Sequence, residues 1–335
     1  MINMAKTKPI YTMSNTNQLY IPTFDDVKAA HKRIAPHIHR TPVLTSSYLN
    51  NLTGAELFFK CENFQKAGAF KVRGASNAVF GLSDEKAARG VVTHSSGNHA
   101  LSLSYAAGRR GIQATVVMPH TAPEAKKAAV RGYGGEVHEC EPSLAAREEM
   151  LEKLIVKTGA DFVHPYNDHR VIAGQGTCSL ELYQDVGQLD AVVAPIGGGG
   201  MISGTCLTMS NVSPKTKIYA AEPKNADDVY RSFRAGEMIE DDAPQTVADG
   251  LKVSLRPRTW HFVSTFVSDV LLASEEEIID AMYITWQRMK IVIEPSSAVA
   301  LATILKNKQL FEGKRVGVIV TGGNVDLKKL PWMNS

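Results

Sequence analysis

Short apolar runs bounded by turn residues recur along the chain. Between them lie longer stretches whose apolar residues fall at helical spacing. Glu56–Glu62 (ELFFKCE), Val91–Ser96 (VVTHSS), Ala114–Pro119 (ATVVMP) and Glu136–Cys140 (EVHEC) read as strands, as do Ala191–Gly197 (AVVAPIG), Lys217–Pro223 (KIYAAEP) and Val316–Gly323 (VGVIVTGG). Several of these runs are apolar on both faces, the pattern of central strands in a parallel sheet covered by helices. The helical stretches carry start signals. Ser274 with Glu277 three residues on forms a capping box ahead of an amphipathic run. Pro123 and Pro295 stand where first-turn prolines are tolerated. Alternating strand and helix predicts an α/β architecture.

Composition narrows the class. The 335 residues are 44% hydrophobic and 21% charged, ordinary globular usage. Lys and Arg total 37 against 34 Asp and Glu, a formal net charge of +3, which gives no reason to expect nucleic acid or an anionic membrane as partner. No apolar run is long enough to span a bilayer. Residues 1–18 are polar and lack the apolar core of a secretory signal, so they read as a loose tail on a cytoplasmic protein. Cys61, Cys140, Cys178 and Cys206 form no CxxC pair and no zinc spacing, and read as free thiols in a reducing compartment.

Three glycine-marked segments follow strands, where open α/β sheets bind ligands. Ser95–Ala100 (SSGNHA) can present backbone N–H groups and side-chain donors at a helix start, or can be a plain cap and turn. Gly197, Gly198, Gly199 and Gly200, followed by Met201, can wrap backbone N–H groups around a phosphate. This is no Walker loop, because no Lys-Ser/Thr follows, and it does not fit GxGxxG. Thr321–Asn324 (TGGN) places a hydroxyl at a buried strand end. Upstream, Ala67–Ala75 (AGAFKVRGA) sets Lys71 between Phe70 and a second cation, Arg73, which either helps keep the lysine neutral or pairs elsewhere. A reactive lysine, a phosphate nest and a hydroxyl for a ring nitrogen together describe one cofactor, pyridoxal phosphate. A nicotinamide-dependent dehydrogenase and a non-catalytic amino-acid sensor are the competing classes. The first predicts no lysine adduct, and the second has no use for Lys71.

At these residues the chain resembles the fold-type-II pyridoxal-phosphate enzymes, in the branch that holds the serine racemases and the serine/threonine dehydratases. The likeness runs from His39–Asn50 (HRTPVLTSSYLN) to Thr321–Leu327 (TGGNVDL) and includes FFKCENFQKAGAFKVRGA, VVTHSSGNH, YAAEPKNADD and RMKIVIEPSSAV. It implies a tryptophan-synthase-β-like fold of two lobes, each with a largely parallel twisted sheet flanked by helices. Residues 1–89 plus 169–335 would form the large cofactor-binding lobe and 90–168 a small mobile one. Lys71 would carry the Schiff base, Phe70 would lie against the ring, Asn98 would bond the ring oxygen, and Gly197 to Met201 the phosphate. Thr321 stands where a serine is usual. A neutral hydroxyl there leaves the ring nitrogen unprotonated.

The resemblance also implies a reaction. Lys71 would take the α-proton from one face of an amino acid, and Ser96 would face the other. Reprotonation by Ser96 gives racemisation; loss of a β-hydroxyl gives elimination to a keto acid and ammonia. The substrate carboxylate would meet Ser95, Ser96, Gly97 and Asn98, with Arg147 and Tyr133 approaching from the small lobe. The first reading is therefore a serine racemase activity with side elimination of serine to pyruvate. The alternative is a dehydratase of L-threonine, L-serine or threo-3-hydroxyaspartate, or an aspartate racemase.

Further sites follow from the same resemblance. Glu222, the Ala226 carbonyl and Asp228 match a divalent-cation site, and oxygen ligands suit Mg²⁺, Ca²⁺ or Mn²⁺. Ser46, Ser47, Lys66, Lys290 and Asn324 match a site for ATP as activator at a homodimer interface, although Ala67 and Leu101 replace polar residues there. Val253 replaces a serine near the expected carboxylate position, with Ser254 following. His169 and Arg170 make the Asn167–Arg170 loop unusually basic, which either welcomes a second carboxylate or is simply solvated.

Overall fold

The computed structural model describes residues 19–241 and 243–333. The polar segment 1–18 lies outside them. Among the described residues ten strands form two sheets. The larger holds β1 (Val43–Leu44), β2 (Glu56–Cys61), β7 (Ala191–Pro195), β8 (Lys217–Pro223), β9 (Asp269–Ala273) and β10 (Arg315–Val320), in the order β1-β2-β10-β7-β8-β9. The smaller holds β3 (Val91–His94), β4 (Ala114–Pro119), β5 (Glu136–Cys140) and β6 (Asp161–Phe162), in the order β5-β4-β3-β6. Every pairing is parallel except β1 with β2. The seven strands expected from apolar runs are present. β1 and β6 are too short to show a pattern, and β9 was not anticipated.

Period-two alternation explains how the large sheet is covered. Phe59, Val193, Ala221, Leu271 and Val318 join one core with the helix Pro295–Lys306. Their neighbours Phe58, Val192, Ala220, Val270 and Ile319 join another with helices His169–Val186 and Gly200–Val212. Both faces are therefore dry, as parallel strands require.

The helix Lys71–Phe80 crosses His169–Val186 with almost no space between backbones. A Cβ added at Gly174 would lie 2.6 Å from Gly74 Cα. Only glycine permits that approach. Beneath the crossing, Arg73 is fully buried. It donates to Glu62 (2.7 and 2.8 Å) and Glu181 (2.9 and 2.7 Å), and Lys60 donates to Glu181 at 2.8 Å. Two cations thus face two carboxylates, and the start of the Lys71 helix is fixed to the sheet.

Predicted local signals are met with one shift. Ser274 and Glu277 form the expected reciprocal cap, and Pro295 begins its helix. Pro123 is the residue before the helix Glu124–Gly132, not in its first turn. All four cysteines are free. Burial pushes the Cys61 thiol up to about 12 and raises Cys178 and Cys206 as well, so these thiols are unreactive. No helix among the described residues is long and apolar enough to cross a membrane.

Candidate active site

The predicted residues converge at the carboxyl ends of β2, β3, β7 and β10. After β2 the chain runs through two 3₁₀ turns to Phe70, whose N–H donates to Thr321 O at 2.9 Å. A bridge between Ala69 and Gly322 extends this pairing, and Gly323 N–H donates to Gly68 O at 2.9 Å. The lysine segment and the Thr321 segment are therefore one hydrogen-bonded unit.

Lys71 is the first residue of its helix. Its Nζ donates to Pro165 O at 2.9 Å and lies 5.0 Å from the Phe70 ring centroid and 6.0 Å from that of Tyr166. Burial lowers its pKa to about 8, opposed by the nearby Glu294 carboxyl. Arg73 plays no part in that shift. Two residues along a helix it points elsewhere, into the Glu62–Glu181 network. Of the two roles open to Arg73 from sequence, the structure assigns pairing.

The glycine loop leads from β7 into the helix Gly200–Val212, and Gly197 through Met201 are all buried. No side chain caps this helix. A buried, uncapped helix start leaves N–H groups that need an anion. Gly199 has φ +83°, and a Cβ at Gly198 would sit 2.6 Å from the Tyr166 ring. Side chains are excluded here by conformation and by contact. This is the observation by which the site fits a phosphate.

Ser95–Gly97 links β3 to the helix Asn98–Arg110. Ser95 Oγ accepts from Gly97 N–H at 3.3 Å, while the Ser96 hydroxyl makes no hydrogen bond among the described residues. Asn98 Nδ2 donates to both oxygens of Glu294, at 3.0 and 3.1 Å, and Asn98 Oδ1 accepts from Asn324 at 2.9 Å. Burial raises Glu294 to about 7, against the Asn98 hydrogen bond. The Thr321 hydroxyl is buried 2.9 Å from Ser297 Oγ. Ser297 Oγ donates to Gly322 O and accepts Gly322 N–H, both at 2.7 Å, which fixes it beside the Thr321 hydroxyl at the strand end.

Three residues that sequence reading missed belong here. Glu294 lies in a segment quoted for its resemblance but was given no role. Tyr166 is adjacent to the Asn167–Arg170 loop singled out for its charge. It is buried against Gly198 and Gly200. Arg256 stands in the turn before the helix Pro257–Phe266, which reaches the Tyr166 segment through Arg258 N–H to Asn167 Oδ1, and its charge opposes the rise that burial causes in the Tyr166 hydroxyl. Arg170 itself takes neither role considered for it: it is held by Asp161 and Asp168, both at 2.6 Å.

Other candidates lie further out. Arg147, on the helix Leu144–Thr158, turns its Nε back to Ser143 O at 3.3 Å, although its charge is felt at His94. Tyr133 is exposed and packs edge-on to Tyr105 at 5.7 Å. Ser46 caps the helix Ser47–Thr53, and Lys290 Nζ donates to Gln287 O at 2.5 Å. Arg288 stacks on Tyr48 at 4.1 Å, which brings these two neighbourhoods together. Both Glu222 oxygens accept backbone N–H groups, from Val229 and Tyr230. Asp228 Oδ2 is buried without a partner, and burial raises its carboxyl to about 6. Among the described residues no group of three or more His, Cys, Asp or Glu side chains is poised for a metal. Val253 is exposed, and Ser254 Oγ accepts from Asp241 N–H at 3.2 Å.

Residues 34–322 match the family described as pyridoxal-phosphate dependent enzymes. The chain belongs to that family. It is 68% identical over 314 residues to a beta-hydroxyaspartate dehydratase of Paracoccus denitrificans, covering 94% of this chain and all of that one. It is 49% identical over 312 residues to a serine racemase of Dictyostelium discoideum, covering 92% and 96%. The solved structure of maize serine racemase superposes with a TM-score of 0.91 at 45% identity, covering 94% and 97%. The fold-type-II architecture and the enzyme class expected from sequence, racemase or ammonia-lyase, are those of these relatives.

Proposed function

We propose that this enzyme is an ammonia-lyase of threo-3-hydroxyaspartate, giving oxaloacetate and ammonia. The carrying observation is the 68% identity across nearly the whole chain to a beta-hydroxyaspartate dehydratase, against 49% to a serine racemase. This places the dehydratase reading ahead of serine racemisation, which the sequence alone put first.

The cofactor, when bound, supplies an electron sink for the α-carbon. The chain supplies the rest. Gly197 to Met201 would hold the phosphate, Phe70 and Asn98 would position the ring, and Thr321 would offer a neutral hydroxyl to its nitrogen. Lys71 Nζ, whose pKa burial brings down to about 8 so that the neutral amine is available near and above that pH, takes the α-proton. The β-hydroxyl then leaves as water, so that H and OH depart from adjacent carbons. The released enamine tautomerises to an imine, and a second water hydrolyses it to the keto acid and ammonia. Elimination needs one base only. Ser96, whose hydroxyl is uncommitted, is the group that supports a second reading with some racemisation.

Glu222, Ala226 and Asp228 would hold a divalent cation, and the unpartnered Asp228 oxygen is the atom such a cation would satisfy. ATP as an activator, a homodimer, a mobile 90–168 lobe and a cytoplasmic setting are parts of the same proposal and rest on the resemblance. The test is a steady-state panel of threo-3-hydroxyaspartate, L-serine, L-threonine and L-aspartate, read by keto-acid assay and chiral chromatography. The highest kcat/KM for threo-3-hydroxyaspartate supports the proposal; D-serine as main product overturns it.

A further inference from the structure

A 3-hydroxyaspartate side chain carries a carboxylate that serine lacks. Binding it selectively requires a cation that stays charged at working pH. Beyond Lys71, the basic side chains whose charges act on one another around the site are His94, His99, His164, Arg147 and Arg256. The imidazoles do not qualify. His164 Nδ1 accepts two backbone N–H groups, from Tyr166 at 3.2 Å and Asn167 at 2.9 Å, so it bears no proton there. His99 Nε2 lies 3.1 Å from Val163 O, and its Nδ1 is buried without a partner. Burial also lowers His94 to about 4 and His99 to about 3. The charge must come from a guanidinium.

Most arginines nearby are already committed. Arg73 and Arg170 are enclosed by carboxylates, and Arg147 turns its Nε back to Ser143 O on its own helix. Arg258 donates to the Tyr20 and Asn167 carbonyls. Arg256 differs. It precedes the helix Pro257–Phe266 in a turn packed against the site: a Cβ on Gly199 would meet Leu255 at 2.7 Å and Thr259 at 2.9 Å, and Arg258 N–H donates to Asn167 Oδ1, next to Tyr166, at 3.2 Å. Its charge also opposes the rise that burial causes in the Tyr166 hydroxyl. Tyr166 is the ring 6.0 Å from Lys71 Nζ, and it meets His164 edge-on at 4.6 Å. The turn that carries Arg256 thus lies against the segment whose Tyr166 ring faces the reacting amine. Its ion-pair partner Glu240 is 56% exposed, and a pair of that kind is weak and exchanges readily. A planar fork of donors suits a carboxylate bidentately.

We propose that Arg256, oriented by Tyr166, is the specificity residue that binds the distal carboxylate of the substrate. In the bound state it exchanges Glu240 for that carboxylate. The substrate's other carboxylate stays with the Ser95–Asn98 loop. This inference rests on the hydroxyaspartate reading and names the residue that would make the enzyme prefer a dicarboxylic substrate.

The test compares kcat/KM for threo-3-hydroxyaspartate and for L-serine in cofactor-loaded wild type, Arg256→Gln, Arg256→Lys and Tyr166→Phe. Loss of a charge-assisted bidentate contact predicts a drop of about 10–100-fold for hydroxyaspartate in Arg256→Gln, mainly through KM. The kcat/KM for serine should fall by a clearly smaller factor, and the bound-cofactor absorbance should persist, since neither uses that contact. Arg256→Lys should recover part of the preference. Tyr166→Phe, which keeps the ring against the glycine loop, should weaken the preference in the same direction. Equal losses for both substrates, or loss of cofactor, would overturn the inference by placing Arg256 in the cofactor site or the fold. A wild type that prefers hydroxyaspartate with the ratio unchanged in all variants overturns this inference alone. A wild type that prefers serine overturns the functional reading as well.

Discussion

The buried network beneath the Lys71 helix gives a prediction with a calculable size. Arg73 and Lys60 balance Glu62 and Glu181 in a volume where both cationic side chains and the Glu62 side chain are wholly buried. Replacing Arg73 with Met leaves two carboxylates facing one lysine. Breaking a buried pair from one side costs about 3–5 kcal/mol, a large part of the roughly 5–15 kcal/mol that separates folded from unfolded protein. Burial pushes the Glu181 carboxyl up, but hydrogen bonds and charge from Arg73, then Lys60, bring it down to about 2. A depressed carboxyl stabilises the fold above its unfolded pKa of about 4.5, and that contribution fades as pH falls through about 2. The Arg73→Met penalty should therefore be full at neutral pH and shrink in acid. Urea unfolding of the cofactor-free protein across pH measures it. The same variant should leave the Lys71 titration unchanged, because burial and Glu294 set it. A loss below about 1 kcal/mol would refute the claim that this network anchors the helix. A shifted Lys71 midpoint would refute the separation of the two cations.

Other outcomes follow from the site. The rate at which cofactor-free protein captures pyridoxal phosphate should rise with pH through about 8, where Lys71 loses its proton, and Lys71→Ala should abolish both capture and turnover. Glu294 is raised from 4.5 to about 7, so its contribution to stability is present below 4.5 and lost as pH rises through 7. Glu294→Gln should thus stabilise the cofactor-free protein by up to about 3 kcal/mol at pH 8 and by little near pH 4.5, as read by thermal melts. Gly198→Ala drives a methyl into the Tyr166 ring, and an overpacking cost of about 1–3 kcal/mol should weaken cofactor affinity about 5–150-fold by equilibrium titration. Ser96→Ala should suppress any racemisation more than elimination, as judged by chiral chromatography.

What sequence revealed about this site depended on how unusual the local chemistry is. Four glycines after an apolar strand, a lysine among small residues and SSGN after a strand have few structural explanations, and all three segments meet as expected. Two-residue strands such as β6 carry no period to detect. Arg73 looked like a neighbour of Lys71 because it is one in sequence, yet a two-residue step on a helix turns the side chain away. Glu294, Tyr166 and Arg256 escaped for the opposite reason. Asn98 and Gly198, against which Glu294 and Tyr166 lie, and the site that the Arg256 turn packs on are far away along the chain, and an isolated Tyr, Glu or Arg announces nothing. Substrate choice was the least readable feature, since Lys71 and Ser96 serve racemisation and elimination alike.

The central claim, that the chain acts on a hydroxy dicarboxylic acid, is tested most directly by competition. Equal concentrations of threo-3-hydroxyaspartate and L-serine are mixed with one sample of loaded enzyme, and oxaloacetate is trapped by reduction as it forms. The account predicts oxaloacetate in at least about tenfold excess over pyruvate and D-serine combined, the discrimination expected of one well-placed charged contact. Pyruvate or D-serine as the dominant product would contradict it.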